Sequence, residues 1–238
     1  AGARPVAVDL AGGRAQVDAL LAACGERTRV VVLCNPNDPT GTYVPRADVA
    51  RLAAGLPDKA HLLMDEAYAQ FQDVEEEDAV LRLVDQHPRV LVLRTFSKIY
   101  GLSGLRAGYA VGSAGTARLL DAIAPVLGVN ALTQAVMSQA LRIGDDEVQR
   151  RRMLVLVQRK RLLDALHDMP VDAPDSQANF VWLRAPGLTG SELAARLERA
   201  GVVVAPGGPL GDDHHVRAAI RGAAATERLL EALAGIVR

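Results

Sequence analysis

From Val30 to Gly112 short apolar runs that end in polar residues alternate with stretches of helical character. The runs are "RVVVLC" (Arg29–Cys34), "HLLMDEA" (His61–Ala67) and "RVLVLRTFS" (Arg89–Ser97). Between them lie "PRADVARLAAGL" (Pro45–Leu56), opened by a proline, and "EEEDAVLRLVDQH" (Glu75–His87), acidic in its first turn. Near-continuous apolar strands separated by helices, at a spacing of about thirty residues, predict βαβ units and a mostly parallel sheet. Runs apolar at every position also predict that both faces of that sheet are covered. A further short strand is expected at Pro5–Leu10, in a chain that opens "AGARPVAVDL" without Met, as if an N-terminal part were missing.

After Gly112 the texture changes. "TARLLDAIAPVL" and "NALTQAVMSQALRIG" predict helices interrupted near Pro125, and Asp145–Asp168 predicts one long amphipathic helix with Val148, Val155, Leu162 and Leu166 on its apolar face. From Asn179 onward short strands ("NFVWLR", "GVVVAP", "HVRAAI") alternate with helices ("GSELAARLERAG", "ATERLLEALAGIV"). The fold class is therefore α/β, a central sheet with flanking helices over residues 1–144, joined by the long helix to a small α+β domain over 145–238.

Composition narrows the function classes. The 238 residues are 50% hydrophobic with a formal net charge of −1, so neither a polyanion partner nor a bilayer span is indicated. The Arg and Lys of the long helix read as a solvated face, since only 3% of residues are aromatic and base stacking needs aromatic rings. Cys24 and Cys34 read as two buried thiols in a reducing cytosol. The five histidines lack metal-ligand spacing, and no metal is expected.

In open parallel sheets, ligands bind beyond the carboxyl ends of the strands. Each run delivers something distinctive there: "NPNDPTG" (Asn35–Gly41), "DEAY" (Asp65–Tyr68) and "TFSK" (Thr95–Lys98). Singly these have plain readings: a turn, a helix cap, a solvent-facing lysine, and glycines at Gly101, Gly104 and Gly108 for tight turns and close packing. Together they suit pyridoxal phosphate chemistry. A lysine amine can form a Schiff base with the cofactor aldehyde and later move a proton. A carboxylate keeps the pyridine nitrogen protonated, and hydroxyls with a guanidinium hold a phosphate dianion. Lys98, Asp65 and Tyr68 are the candidate catalytic groups. Asn35 and Tyr68 suit the ring hydroxyl, and Thr95, Ser97 and Arg106 the phosphate.

On "NPNDPTG", "DEAY", "RTFSKIYGLSGLRAGY", "SQANFVWLR" and "HVRAAIRG", in that order and spacing, the chain resembles the histidinol-phosphate aminotransferase family of fold type I pyridoxal phosphate enzymes. The resemblance implies a large cofactor-binding domain, a homodimer, a cytoplasmic location, and transfer from an amino donor to a 2-oxo acid. It assigns Lys98 to the Schiff base and Asp65 to the pyridine nitrogen. It also makes Arg217, in "VRAAI", the residue that binds the substrate carboxylate. Two departures matter. Family members are longer by about a hundred residues at the N-terminus. They also carry an arginine, associated with the substrate's phosphate, where this chain has Ala205. The expectation is histidinol-phosphate aminotransfer in histidine biosynthesis. Ala205 raises an aromatic amino acid as the alternative donor, and a decarboxylase of the same fold or a non-catalytic regulatory domain are further alternatives.

Overall fold

The structure is a computed structural model that describes residues 2–126 and 128–237. The chain packs into two units. The first runs to Asn35 and resumes over Val44–Asp145; the second takes Pro36–Tyr43 and everything from Asp146 onward. A short loop after the first strand thus belongs with the C-terminal unit.

In the first unit a sheet is built in the order β1 (Val30–Cys34), β2 (His61–Asp65), β3 (Val90–Thr95) and β4 (Gly108–Gly112). The first three strands run parallel, with Cys34 opposite Asp65 and Asp65 opposite Leu93. β4 closes the sheet antiparallel to β3, pairing Gly108 with Thr95. A side chain at Gly108 would lie 2.7 Å from the Arg94 carbonyl, so only glycine lets the strand start there. Parallel neighbours need crossovers, and the two here carry α2 (Arg46–Gly55) and α3 (Leu83–Gln86), while α1 (Val17–Ala22) precedes the first strand. Val17, Val49, Leu52, Leu83 and Val84 bury against Val31, Leu33, Leu62, Met64, Val90 and Val92. At about 25 cal/mol per Å² of apolar surface this single layer is the main stabilising term of the unit.

The expectation that both faces are covered is not met at β1. Its alternate row, Val30 and Val32, is 54% and 60% exposed among the described residues. α1, α2 and α3 take the other row. Pro5–Leu10 is no strand either; it pairs with nothing in the sheets, and Val6 and Leu10 are exposed. The helix expected over Glu75–His87 shrinks to α3. The acidic run ahead of it spends its carboxylates on long-range partners instead: Glu75 accepts the Arg46 N–H and Asp78, itself exposed, pairs with the buried Arg94. Both cysteines are half-buried and unlinked rather than buried. α4 (Ala117–Ile123) stops ahead of Pro125, and α5 (Ala131–Ile143) starts on an Asn130 cap; Leu127, where the first of these was expected to end, lies outside the described residues.

The second unit holds α6 (Asp145–Leu166), β5 (Phe180–Leu183), α7 (Gly190–Arg199), β6 (Ala205–Pro206), β7 (Val216–Ala219) and α8 (Ala223–Ile236). Its antiparallel sheet is ordered β5-β7-β6. Val155, Leu162 and Leu166 form the buried stripe of α6, with Val148 only half-buried. Arg150, Arg151, Lys160 and Arg161 are each paired with an acid, and Arg159 is buried against the Ala178 carbonyl. The "GVVVAP" run contributes only β6, leaving Val203 83% exposed.

Candidate active site

In the first unit three strands release their chains on one edge. The Asn35 N–H donates to the Asp65 carbonyl at 2.8 Å, and the Glu66 N–H to the Leu93 carbonyl at 2.9 Å, so the ladder continues one residue past each strand. Beyond it Asp65 turns the chain by accepting the Ala67 N–H on Oδ1 at 3.0 Å. That turn brings Tyr68 inward, 2% exposed, and the Lys98 amine lies 4.7 Å from the centre of its ring. A cation over a phenol face is weakly attracted to it, which fixes the direction of an otherwise flexible chain. Lys98 itself sits in a turn closed by the Gly101 N–H on its carbonyl, after Thr95 Oγ1 has accepted the Ser97 N–H at 3.1 Å. Asp65, Tyr68, Thr95, Ser97 and Lys98 are therefore gathered at one sheet edge.

Asn35 and Arg106 are placed differently. Asn35 is 1% exposed and its amide is engaged twice by Val44, donating to the carbonyl at 2.8 Å and accepting the N–H at 2.7 Å. It acts as a clasp at the neck of the Pro36–Tyr43 loop. Arg106 is exposed, with its guanidinium on the Ser103 carbonyl at 2.9 Å. Its φ of 51° is left-handed, a conformation non-glycine residues adopt at a cost and keep mostly where function requires it.

Next to Asp65 lies an ion cluster. Arg94, buried in β3, donates Nε to Glu66 Oε2 at 2.9 Å and Nη1 to Asp78 at 2.9 Å, with Glu77 within 4.0 Å. One guanidinium faces three acids, and Glu66 is the buried one. Burial pushes the Glu66 carboxyl up to about 7, against the opposing pull of the Arg94 charge and hydrogen bond.

Arg217 belongs to the second unit. It stands in β7 opposite Trp182 on one side and Ala205 on the other. Its guanidinium lies 3.7 Å from the centre of the Phe180 ring, and its Nε is 3.0 Å from Asp38 Oδ1. Asp38 comes from the loop, which is pinned within this unit where the Gly41 carbonyl accepts the Gln177 N–H at 2.6 Å. Gly41 has φ +75°, and a Cβ there would strike Ser176. His215 stacks on Trp182 at 5.0 Å, and Asp212 holds its Nδ1 at 2.9 Å. Burial lowers the His215 pKa, with Asp212 opposing.

The sequence reasoning missed Glu66, Arg94, Phe180 and Asp38. Glu66 lies inside a motif already singled out, and an acid that follows a strand-end aspartate was the signal available. Asp38 gave only a turn signal.

The aminotransferase class I and II family model matches residues 1–236. The aromatic amino acid aminotransferase of Streptomyces coelicolor is 42% identical over 207 residues, 86% of this chain. The chain spans 57% of that relative's length. Among solved structures, histidinol-phosphate aminotransferase from Sinorhizobium meliloti, in complex with pyridoxal-5'-phosphate, is similar with TM-score 0.83 and 30% identity. That match covers 99% of this chain and 65% of the other. L-threonine-O-3-phosphate decarboxylase from Porphyromonas gingivalis shares the fold at TM-score 0.75 and 21% identity, covering 94% and 69%.

Proposed function

The chain belongs to the aminotransferase class I and II family, and on that premise we propose that it acts as a pyridoxal-phosphate-dependent aminotransferase on an aromatic amino acid. The observation that carries the cofactor reading is the Lys98 amine, held over Tyr68 on the sheet edge where Asp65 also emerges. The donor set suits the cofactor: an amine for an aldehyde, a carboxylate for a pyridinium, hydroxyls and a guanidinium for a phosphate. Bound there, pyridoxal phosphate supplies an aldehyde and a ring that accepts electrons from the substrate's α-carbon.

Lys98 would hold the cofactor covalently, and its amine, once released by the incoming substrate amine, would take the proton from the α-carbon and return it. Asp65 would keep a proton on the ring nitrogen, and the Tyr68 hydroxyl would serve the ring hydroxyl. Asn35, with both ends of its amide on Val44, supports the loop, and with Tyr68 it would serve the ring hydroxyl through the other N–H of its amide. Ser97, Thr95 and Arg106 take the phosphate. Arg106 does so by leaving the Ser103 carbonyl, since a dianion is the stronger acceptor. Arg217 takes the substrate carboxylate, pressed flat on Phe180. The enzyme acts in the cytoplasm as a homodimer, on an amino donor and a 2-oxo acid.

The donor is assigned from Ala205. It stands opposite Arg217 in the sheet register, exposed, and offers no charge to a substrate phosphate. The 42% identity to an aromatic amino acid aminotransferase supports the same choice. Histidinol phosphate, the first expectation, becomes the second reading, supported by the likeness to the Sinorhizobium meliloti enzyme. Amino transfer to 2-oxoglutarate from phenylalanine and from histidinol phosphate, compared by kcat/KM, tests the assignment. A preference for phenylalanine is expected; a preference for histidinol phosphate overturns the donor, and carbon dioxide release without keto acid overturns the reaction.

A further inference from the structure

A carboxylate is already seated on the arginine assigned to the substrate. Asp38 Oδ1 lies 3.0 Å from Arg217 Nε, and Asp38 Oδ2 lies 3.5 Å from Nη2, so the acid lies along one side of the guanidinium fork. The contact is partly desolvated yet open to solutes, with the Arg217 side chain 22% exposed and Asp38 35%. Phe180 supports the guanidinium from one face. The loop that carries Asp38 is fixed by the Asn37 N–H on the Thr42 carbonyl at 2.8 Å and by the Gly41–Gln177 bond.

We infer that Asp38 is an internal carboxylate that competes with a ligand's carboxylate for Arg217 and so sets how tightly acids bind there. The inference rests on Arg217 being the carboxylate-binding residue. A guanidinium carries five N–H donors in a planar fork, and the acid beside it accepts from Nη2 while its other oxygen stands in ion-pair contact near Nε. An incoming carboxylate either displaces Asp38 or comes to share the guanidinium with it. Displacement gives up the Asp38 ion pair, and sharing sets two anions on one cation, so either course weakens the complex. With no ligand present, Asp38 and Phe180 keep the guanidinium ordered, so the ordering cost is already met before binding. Asp38 is then a specificity-determining residue. It favours ligands that bring binding energy besides the carboxylate, as an aromatic side chain does.

A brace would behave in the opposite way. If Asp38 only held Arg217 in place, neutralising it would loosen the arginine and weaken acids. The sign of one measurement separates the two roles. Trp182 is the chain's one tryptophan and stands opposite Arg217 in the register, so its fluorescence reports on that position. The probe is 3-phenylpropanoate, which has no amine to transfer, titrated without cofactor into the whole chain and read by fluorescence and calorimetry. Asp38→Asn and Asp38→Ala are both expected to tighten binding, by about tenfold. Arg217→Ala is expected to remove binding, and to remove the gain when combined with Asp38→Asn. Unchanged or weaker binding in both Asp38 variants overturns the inference. If that happens while Arg217→Ala abolishes binding, the carboxylate assignment survives and the competition alone is wrong. If Arg217→Ala binds like the parent chain, the assignment falls and the inference with it.

Discussion

The Lys98 cluster and the Arg217 cluster are assembled by different means. Around Lys98 each functional group leaves a strand within a few residues of a neighbour on the next parallel strand. The ladder that pairs Asp65 with Cys34 and Leu93 then aligns them automatically. Around Arg217 the partners Asp38 and Arg217 are 179 positions apart, and they meet only because a loop leaving the first strand packs with the second unit. The first cluster is positioned by sheet register and the second by one pinned loop. Chemistry should therefore be fragile to side-chain changes in the first, and to backbone changes in the second.

The largest expected effect tests the first half of that contrast. Asp65→Ala should lower kcat by about a thousandfold, the range of a lost acid–base or charge partner, and leave the thermal midpoint nearly unchanged, since Asp65 accepts only one local backbone bond. A large fall in stability instead would mean that Asp65 is structural. Next in size is the neighbouring ion cluster. The Glu66 carboxyl is raised to about 7 in the fold from an ordinary value of 4.5. The folded state therefore holds that proton more tightly, and the contribution is full below about pH 4.5 and lost as pH rises through 7. Its size is on the order of 3 kcal/mol. Thermal midpoints at pH 5 and pH 8 should differ more for the parent than for Glu66→Gln, with the parent weaker at pH 8; equal shifts would contradict the cluster's geometry.

The second half of the contrast is broken at the loop. Gly41→Ala puts a Cβ 2.8 Å from the Ser176 Cβ at a left-handed φ. It should cost about 2 kcal/mol and lower the probe's dissociation constant, because a displaced loop draws the competing Asp38 carboxylate off Arg217. Denaturant melts and the phenylpropanoate titration read both. The smallest change serves as the control. Thr189 and Glu192 form a reciprocal cap on α7, and Thr189→Ala should cost about 1 kcal/mol with no change in probe affinity.

How much of this was legible follows from the same contrast. β1, β2 and β3 were visible because parallel strands are short and apolar throughout, and the residues after each run named the cofactor chemistry. The antiparallel β4 was not read, since "GYAVG" offers little apolar periodicity and its pairing is set by the glycine that lets it approach Arg94. Continuous apolarity suggested two covered faces, yet Val30 and Val32 are open because the helices of this chain lie against the other row. The acidic start of "EEEDAVLRLVDQH" resembled a helix N-terminus; Glu75 and Asp78 went to Arg46 and Arg94 instead, and long-range charge outweighed local propensity. Asn35 had the right type and place for a ligand. That its amide is held by Val44 depends on a contact nine residues on, which spacing does not reveal. Asp38 was unreadable for the stronger reason that its partner lies 179 positions further along the chain.

The central claim is that Lys98 is the covalent anchor of the cofactor. The most direct test mixes the chain, and its Lys98→Ala variant, with pyridoxal phosphate, reduces both with borohydride and maps the adduct by peptide mass. The parent chain should show a visible band that survives dialysis and is bleached on reduction, with the modification on Lys98, and the alanine variant should show neither. A modification on another lysine, or equal labelling of the alanine variant, would contradict it.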